Sequence, residues 1–134
     1  MPSISPPITQ IGPCSPFFIV SNMAASLGHY HATLGFDVRH RTPDDDPFFA
    51  IVGRGPAQLM LKAIDGVLPT PNPVRHAWAR WDVFIFVGDP DALAREFVNR
   101  DVTFHGALDD TDDGLRGFEV ADPDGYVCFF GRPL

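Results

Sequence analysis

Apolar and polar positions along this chain change period twice, both times in the same order. Phe17-Phe18-Ile19-Val20 is a continuous apolar run that closes on Ser21-Asn22, and Phe84-Ile85-Phe86-Val87 repeats it 67 residues later, closing on Gly88-Asp89. Short apolar runs bounded by turn residues read as strands. Asn22 and Asp89 are residue types that accept hydrogen bonds from the free amides of a helix start, and Pro90 stands where its missing amide costs nothing. The period then lengthens. Met23, Leu27, Tyr30 and Leu34 recur at helical spacing, with Gly35 placed to end the helix. From Asp91 to Arg100, Leu93, Phe97 and Val98 share one side, while Arg95, Glu96 and Arg100 lie elsewhere.

Three short strands follow each helix. The pattern predicts them at Phe36 to Arg41, Phe48 to Gly53 and Ala57 to Lys62, then at Val102 to His105, Gly117 to Ala121 and Val127 to Gly131. The last two of each set correspond at an offset of 69, which places Phe49 on Phe118 and Leu61 on Phe130. Gly53-Arg54-Gly55-Pro56 and Asp122-Pro123-Asp124-Gly125 supply the turns, since Gly tolerates positive φ and Pro fixes φ. Between the copies, Pro69, Pro71 and Pro73 interrupt a stretch without periodicity. The reading is one α+β domain over 1–134, built from βαβββ units at 15–63 and 81–134 with a linker at 64–80.

Composition narrows the function classes. A chain of 134 residues hides roughly two-thirds of its unfolded surface, enough for a core without staples. Two cysteines, Cys14 and Cys128, make no disulfide framework and read as buried or half-buried thiols. A net charge of −7 argues against nucleic acid, whose backbone calls for clustered Lys and Arg. No run nears the roughly 18 apolar residues of a membrane span. Met1 to Pro13 carries no basic residue, unlike the charged start of an export signal, so the cytoplasm is the expected location.

Tyr30-xxx-Leu34-Gly35-Phe36, Asp122-Pro123-Asp124-Gly125 and the stretch from Trp81 to Phe97 carry a family resemblance. From Ser15 to Pro133 the chain resembles the vicinal oxygen chelate superfamily (glyoxalase, bleomycin resistance protein and dioxygenase), and most of all the bleomycin-resistance proteins. The resemblance implies the glyoxalase/bleomycin-resistance fold, in which two modules form a curved mixed sheet around an open groove. It also implies a homodimer, antibiotic resistance by ligand binding, and metal-ligand positions at Ser15, Met60, Asp82 and Phe129. Only Asp82 is an ordinary donor for a hard or borderline cation, so no metal and no cofactor are expected. A register slip to Cys14 or Trp81 does not repair the set, and a slip would turn core side chains outward. His29 and His31 are two apart on a helix and point in different directions. His40, His76 and His105 fall at strand ends or in the linker. The Asp109-Asp110-Thr111-Asp112-Asp113-Gly114 run lacks the alternation and the distant Glu of a calcium loop and reads as a solvated loop.

Strand alternation sorts the remaining residues. Phe18, Val20, Leu59, Leu61, Val83, Ile85, Cys128 and Phe130 fall under the helices. Phe17, Met60, Asp82, Phe84, Phe86 and Phe129 fall on the groove face, with Trp78 of the linker as a cover. An apolar face beside one carboxylate suits a small cationic or aromatic molecule. No nucleophile–base pair or paired carboxylates stand out, so no catalytic residue is named. The expected function is a metal-free protein that sequesters a small molecule. The rival is a metal-dependent lyase, isomerase or dioxygenase of the same superfamily, and a third reading fills the groove with protein.

Overall fold

A computed structural model of the chain describes residues 6–134; residues 1–5, part of the stretch read above for an export signal, lie outside them. The first unit contains β1 (Phe17–Val20), α1 (Met23–Leu27), β2 (Asp37–Thr42), β3 (Phe49–Arg54) and β4 (Ala57–Ala63). A single helical turn, α2 (Asn72–Arg75), interrupts the linker. The second unit contains β5 (Val83–Phe86), α3 (Pro90–Asn99), β6 (Gly106–Asp110), β7 (Leu115–Ala121) and β8 (Val127–Pro133). The result is an α+β architecture of two mixed four-stranded sheets, ordered β1-β4-β3-β2 and β5-β8-β7-β6. In each sheet the first strand runs parallel to the last and the other pairs are antiparallel.

The helix starts form as their caps dictate. Asn22 accepts from the Ala25 amide at 3.1 Å, and Asp89 accepts from the Ala92 amide at 3.0 Å. The first helix is less regular than its spacing predicts. From Gly28 to Thr33 it widens into a π-helical turn before Gly35, at φ +78°, ends it. Apart from proline, glycine carries the least helical preference, which makes Gly28 a natural place for the change.

Two expectations shift. No strand forms at Val102 to His105; Val102 and Phe104 pack on the core as irregular chain, and β6 starts at Gly106. Asp109 and Asp110 therefore lie in a strand, where Arg116 donates to Asp110 at 3.0 Å and to Asp91 at 2.8 Å. Of the acidic run that favoured a loop, Asp110 is held by that guanidinium, and Asp109 accepts from the Asp110 amide at 2.8 Å. The pairing also sets Ile51 opposite Met60 and Glu119 opposite Phe129. Ala50, not Phe49, is thus the counterpart of Phe118, and the extra residue sits in the second hairpin turn.

One core runs through both units and includes Tyr30, Leu34, Phe36, Leu61, Phe97, Phe118 and Phe130. Phe18, Val20, Leu59, Leu61, Cys128 and Phe130 are buried, as alternation requires, whereas Val83 and Ile85 on β5 are only half-buried.

Candidate functional site

The second sheet carries an aromatic floor on the face away from its helix. Its base is Phe129 on β8. Gly117 and Gly131 pair across β7 and β8, and a β-carbon on either would come within 2.7 Å of the Phe129 ring. The two glycines therefore let that ring lie down on the sheet. Phe84, the neighbour of Phe129 across β5–β8, stacks on it at 5.6 Å and 17°. Trp81 closes the group, with its ring 6.0 Å from both. Offset stacking at such separations is worth about 0.5–1.5 kcal/mol per pair.

A carboxylate borders this floor. Glu119 stands opposite Phe129 in the β7–β8 ladder and its carboxylate lies over Gly106. Together with Arg80 and the acidic residues of the β6–β7 hairpin, Trp81, Glu119 and Phe129 enclose a hollow of about 260 Å³.

The residues expected on the groove face separate into groups. Phe84 and Phe129 meet as described. Phe17 and Met60 are neighbours across β1–β4 on the other sheet. Phe86 lies exposed at the end of β5. Trp78 stands apart on the linker, stacked on His76 at 4.9 Å, and shares a hollow with Trp81. Asp82 shares a third hollow with Phe17, and both its oxygens are engaged by backbone. Oδ1 accepts from the Asn72 amide at 2.6 Å and Oδ2 from the Val127 amide at 2.8 Å. Asp82 thus pins the linker to the start of β8.

Trp81 and Glu119 are the site residues that the sequence reading missed. Alternation carried on into β7 finds Glu119, because its neighbours Phe118 and Val120 face the core. Trp81 precedes β5, where alternation no longer governs direction, and leans over the floor from irregular chain.

The metal positions implied by the resemblance do not fit a divalent cation. Ser15 accepts a 3.0 Å hydrogen bond from Gln58, Met60 offers a thioether, Phe129 has no donor, and Asp82 is occupied by amides. Among the described residues, no three His, Cys, Asp or Glu side chains cluster as a metal site. Also among them, no helix is long and apolar enough to cross a membrane.

The family model described as "Glyoxalase/Bleomycin resistance protein/Dioxygenase superfamily" matches residues 10–129. No curated protein matches the sequence. Among solved structures, TioX from Micromonospora sp. ML1 is similar at 19% identity and a TM-score of 0.68, covering 92% of this chain and 100% of that one. The bleomycin-binding protein of bleomycin-producing Streptomyces verticillus, complexed with copper(II)-bleomycin, is similar at 24% identity and a TM-score of 0.66, covering 92% and 97%. TnmS3, an antibiotic binding protein from Streptomyces sp. CB03234, is similar at 19% identity and a TM-score of 0.66, covering 94% and 100%.

Proposed function

We propose that this chain, which belongs to the glyoxalase/bleomycin resistance protein/dioxygenase superfamily, sequesters a flat, cationic aromatic molecule without a metal. The observation that carries the reading is the Trp81–Phe84–Phe129 ring cluster, of which Trp81 and Phe129 share one hollow with Glu119. A cation held against rings gains about 0.5–2 kcal/mol, and a hydrogen bond to a charged group about 1.5–3 kcal/mol. Similar solved structures named as a bleomycin-binding protein and an antibiotic binding protein support small-molecule binding. Turnover of the glyoxalase or dioxygenase type would call for metal donors that Met60 and Phe129 do not supply.

A second copy completes the groove in this reading. β1 and β5 are the outermost strands of their sheets, and the edge of β1 is already engaged within the chain, by the Tyr126 hydroxyl on the Ile19 carbonyl and by Asp124 on the Ser21 amide. Phe17 and Phe86 on those strands are 51% and 68% exposed. Exposed apolar rings favour a partner. A twofold homodimer, the commonest oligomer, would cover these rings.

Ethidium, a flat aromatic cation, is a suitable probe. In protein stripped with EDTA it should quench tryptophan fluorescence saturably, and added Mn or Zn should leave the affinity unchanged. Binding that appears only after a metal is restored would overturn the metal-free reading and favour the enzyme.

A further inference from the structure

The two units are unequally filled where they meet. Strand pairing makes Ala57 the counterpart of Tyr126, 69 residues on, and Phe18 the counterpart of Ile85, 67 residues on. Behind the second hairpin, Tyr126 lies flat on Phe18, with ring centroids 4.2 Å apart and planes within 1°. Its hydroxyl donates to the Ile19 carbonyl at 2.8 Å. At the equivalent place behind the first hairpin, Ala57 and Ile85 leave a hollow of about 410 Å³. Leu59, Leu93, Phe97 and Phe130 line it, and Ile85 remains half-buried because no ring covers it. The charged group at the rim, Arg54, is already paired with Glu96 through two 2.7 Å hydrogen bonds. Phe86 occupies the place of Ile19, so its carbonyl is the equivalent acceptor.

We infer that this hollow is a second ligand site, and that it takes a small neutral phenol. The ring lies between Ala57 and Ile85 as the Tyr126 ring lies on Phe18, and the hydroxyl donates to the Phe86 carbonyl. The apolar lining favours a neutral ring, because burying an unpaired charge is costly. The size falls in the range of small-molecule sites, roughly 300–1,000 Å³. The two sites adjoin at Phe84, which lines this hollow and stacks on Phe129, but they differ in ligand class, since Trp81, Glu119 and Phe129 line the other hollow.

The probe is 4-ethylphenol added to the full chain with methyl NMR as readout. It should shift the Leu59, Ile85 and Leu93 methyls saturably. The ether 4-ethylanisole keeps the ring and oxygen but cannot donate, and it should bind at least fivefold more weakly. Ala57→Tyr supplies the missing ring and should lower 4-ethylphenol affinity at least tenfold while ethidium affinity stays unchanged. If that variant does not fold, Ala57→Leu fills part of the hollow and should show a smaller loss in the same direction. No saturable shift at those methyls would overturn the site, whether the hollow closes or a second copy occupies it. Equal affinities for phenol and ether, or unchanged phenol binding in the folded Ala57 variant, would also overturn it. Failure of ethidium to bind bears only on the groove.

Discussion

Tyr30 of the first unit donates a 2.8 Å hydrogen bond to Asp122 of the second, within a core that leaves the tyrosine no solvent contact. Asp122 opens the second hairpin turn, and its carboxylate also accepts from the Asp124 and Tyr126 amides at 2.9 Å each. Its counterpart at the first hairpin is Arg54, which grips Glu96 on α3, one residue before Phe97, the counterpart of Tyr30. Each hairpin turn therefore holds the helical segment of the other unit. One grip is a buried hydroxyl–carboxylate bond and the other a half-exposed ion pair. Burial holds the Tyr30 phenol well above its usual pKa and keeps it a donor.

The buried grip makes stability depend on pH. Burial pushes the Asp122 carboxyl up from 3.8 to about 6, against the pull of its hydrogen bonds. The folded chain thus binds this proton more tightly than the unfolded chain. The contribution is fully present below pH about 4 and is lost as pH rises through about 6. A rise of that size corresponds to about 3 kcal/mol. Asp122→Asn cannot ionise, so its stability relative to the wild type should rise between pH 4 and pH 7 by that order. Urea unfolding of both proteins at the two pH values measures it. A constant difference would mean that Asp122 titrates normally in the folded state.

The two grips should differ in worth. Tyr30→Phe removes the phenol from a buried carboxylate and should cost about 1–3 kcal/mol. Arg54→Met and Glu96→Gln break a pair whose side chains are 40% and 36% exposed, and a double-mutant cycle should give a coupling below about 1 kcal/mol. Denaturant midpoints at low and high salt test this, because only the Arg54 pair should weaken with salt. A larger coupling at Arg54–Glu96 than the Tyr30→Phe loss would reverse the ranking.

The repeat, the helix caps and the buried face were legible in the sequence because each rests on local periodicity. Asn22 and Asp89 announce helix starts, and alternation along β1, β4 and β8 assigns Phe18, Leu61 and Phe130 to the core. The parts that were not legible depend on partners far along the chain. Asp109 and Asp110 lie in a strand because they pair with Gly117 and Arg116 of β7, and Arg116 binds the Asp110 carboxylate. The role of Asp82 depends on two backbone amides, which leave no trace in residue type. Trp81 reaches the aromatic floor from irregular chain, where no period predicts direction. The hollow behind Ala57 was readable in principle, since the repeat sets an alanine against Tyr126, but only the observed pairing fixes that correspondence.

The exposed rings of Phe17 and Phe86 lead to a prediction about assembly. Light scattering at micromolar concentration should give the mass of two chains. Phe86→Asp puts a charge on the exposed end of β5 and should shift the equilibrium at least tenfold toward the monomer. A wild-type monomer mass would remove the second copy from the groove.

The last prediction separates Asp82, the carboxylate that the sequence placed on the groove face, from Glu119, which the structure brings to the site. Asp82 spends both oxygens on the amides of Asn72 and Val127, whereas Glu119 lies beside Phe129 in the aromatic hollow. Glu119→Gln keeps the shape and removes the charge. It should weaken ethidium about tenfold or more, the equivalent of one lost charged hydrogen bond of about 1.5–3 kcal/mol. Neutral phenanthridine should be almost unaffected by that change. Asp82→Asn should behave differently: its side-chain oxygen keeps one amide bond, the other oxygen becomes an NH2 facing a donor, and the chain should lose about 1–3 kcal/mol of stability. With the protein still folded, Asp82→Asn should change ethidium and phenanthridine affinities alike. Phe129→Ala should weaken both ligands, because the buried Phe129 ring seats Trp81 and Phe84 and its loss removes no charge. Fluorescence titrations of the two ligands, with thermal unfolding of each variant, decide the assignment. A selective loss of ethidium at Asp82→Asn, with none at Glu119→Gln, would move the charge partner from β7 to the start of β5.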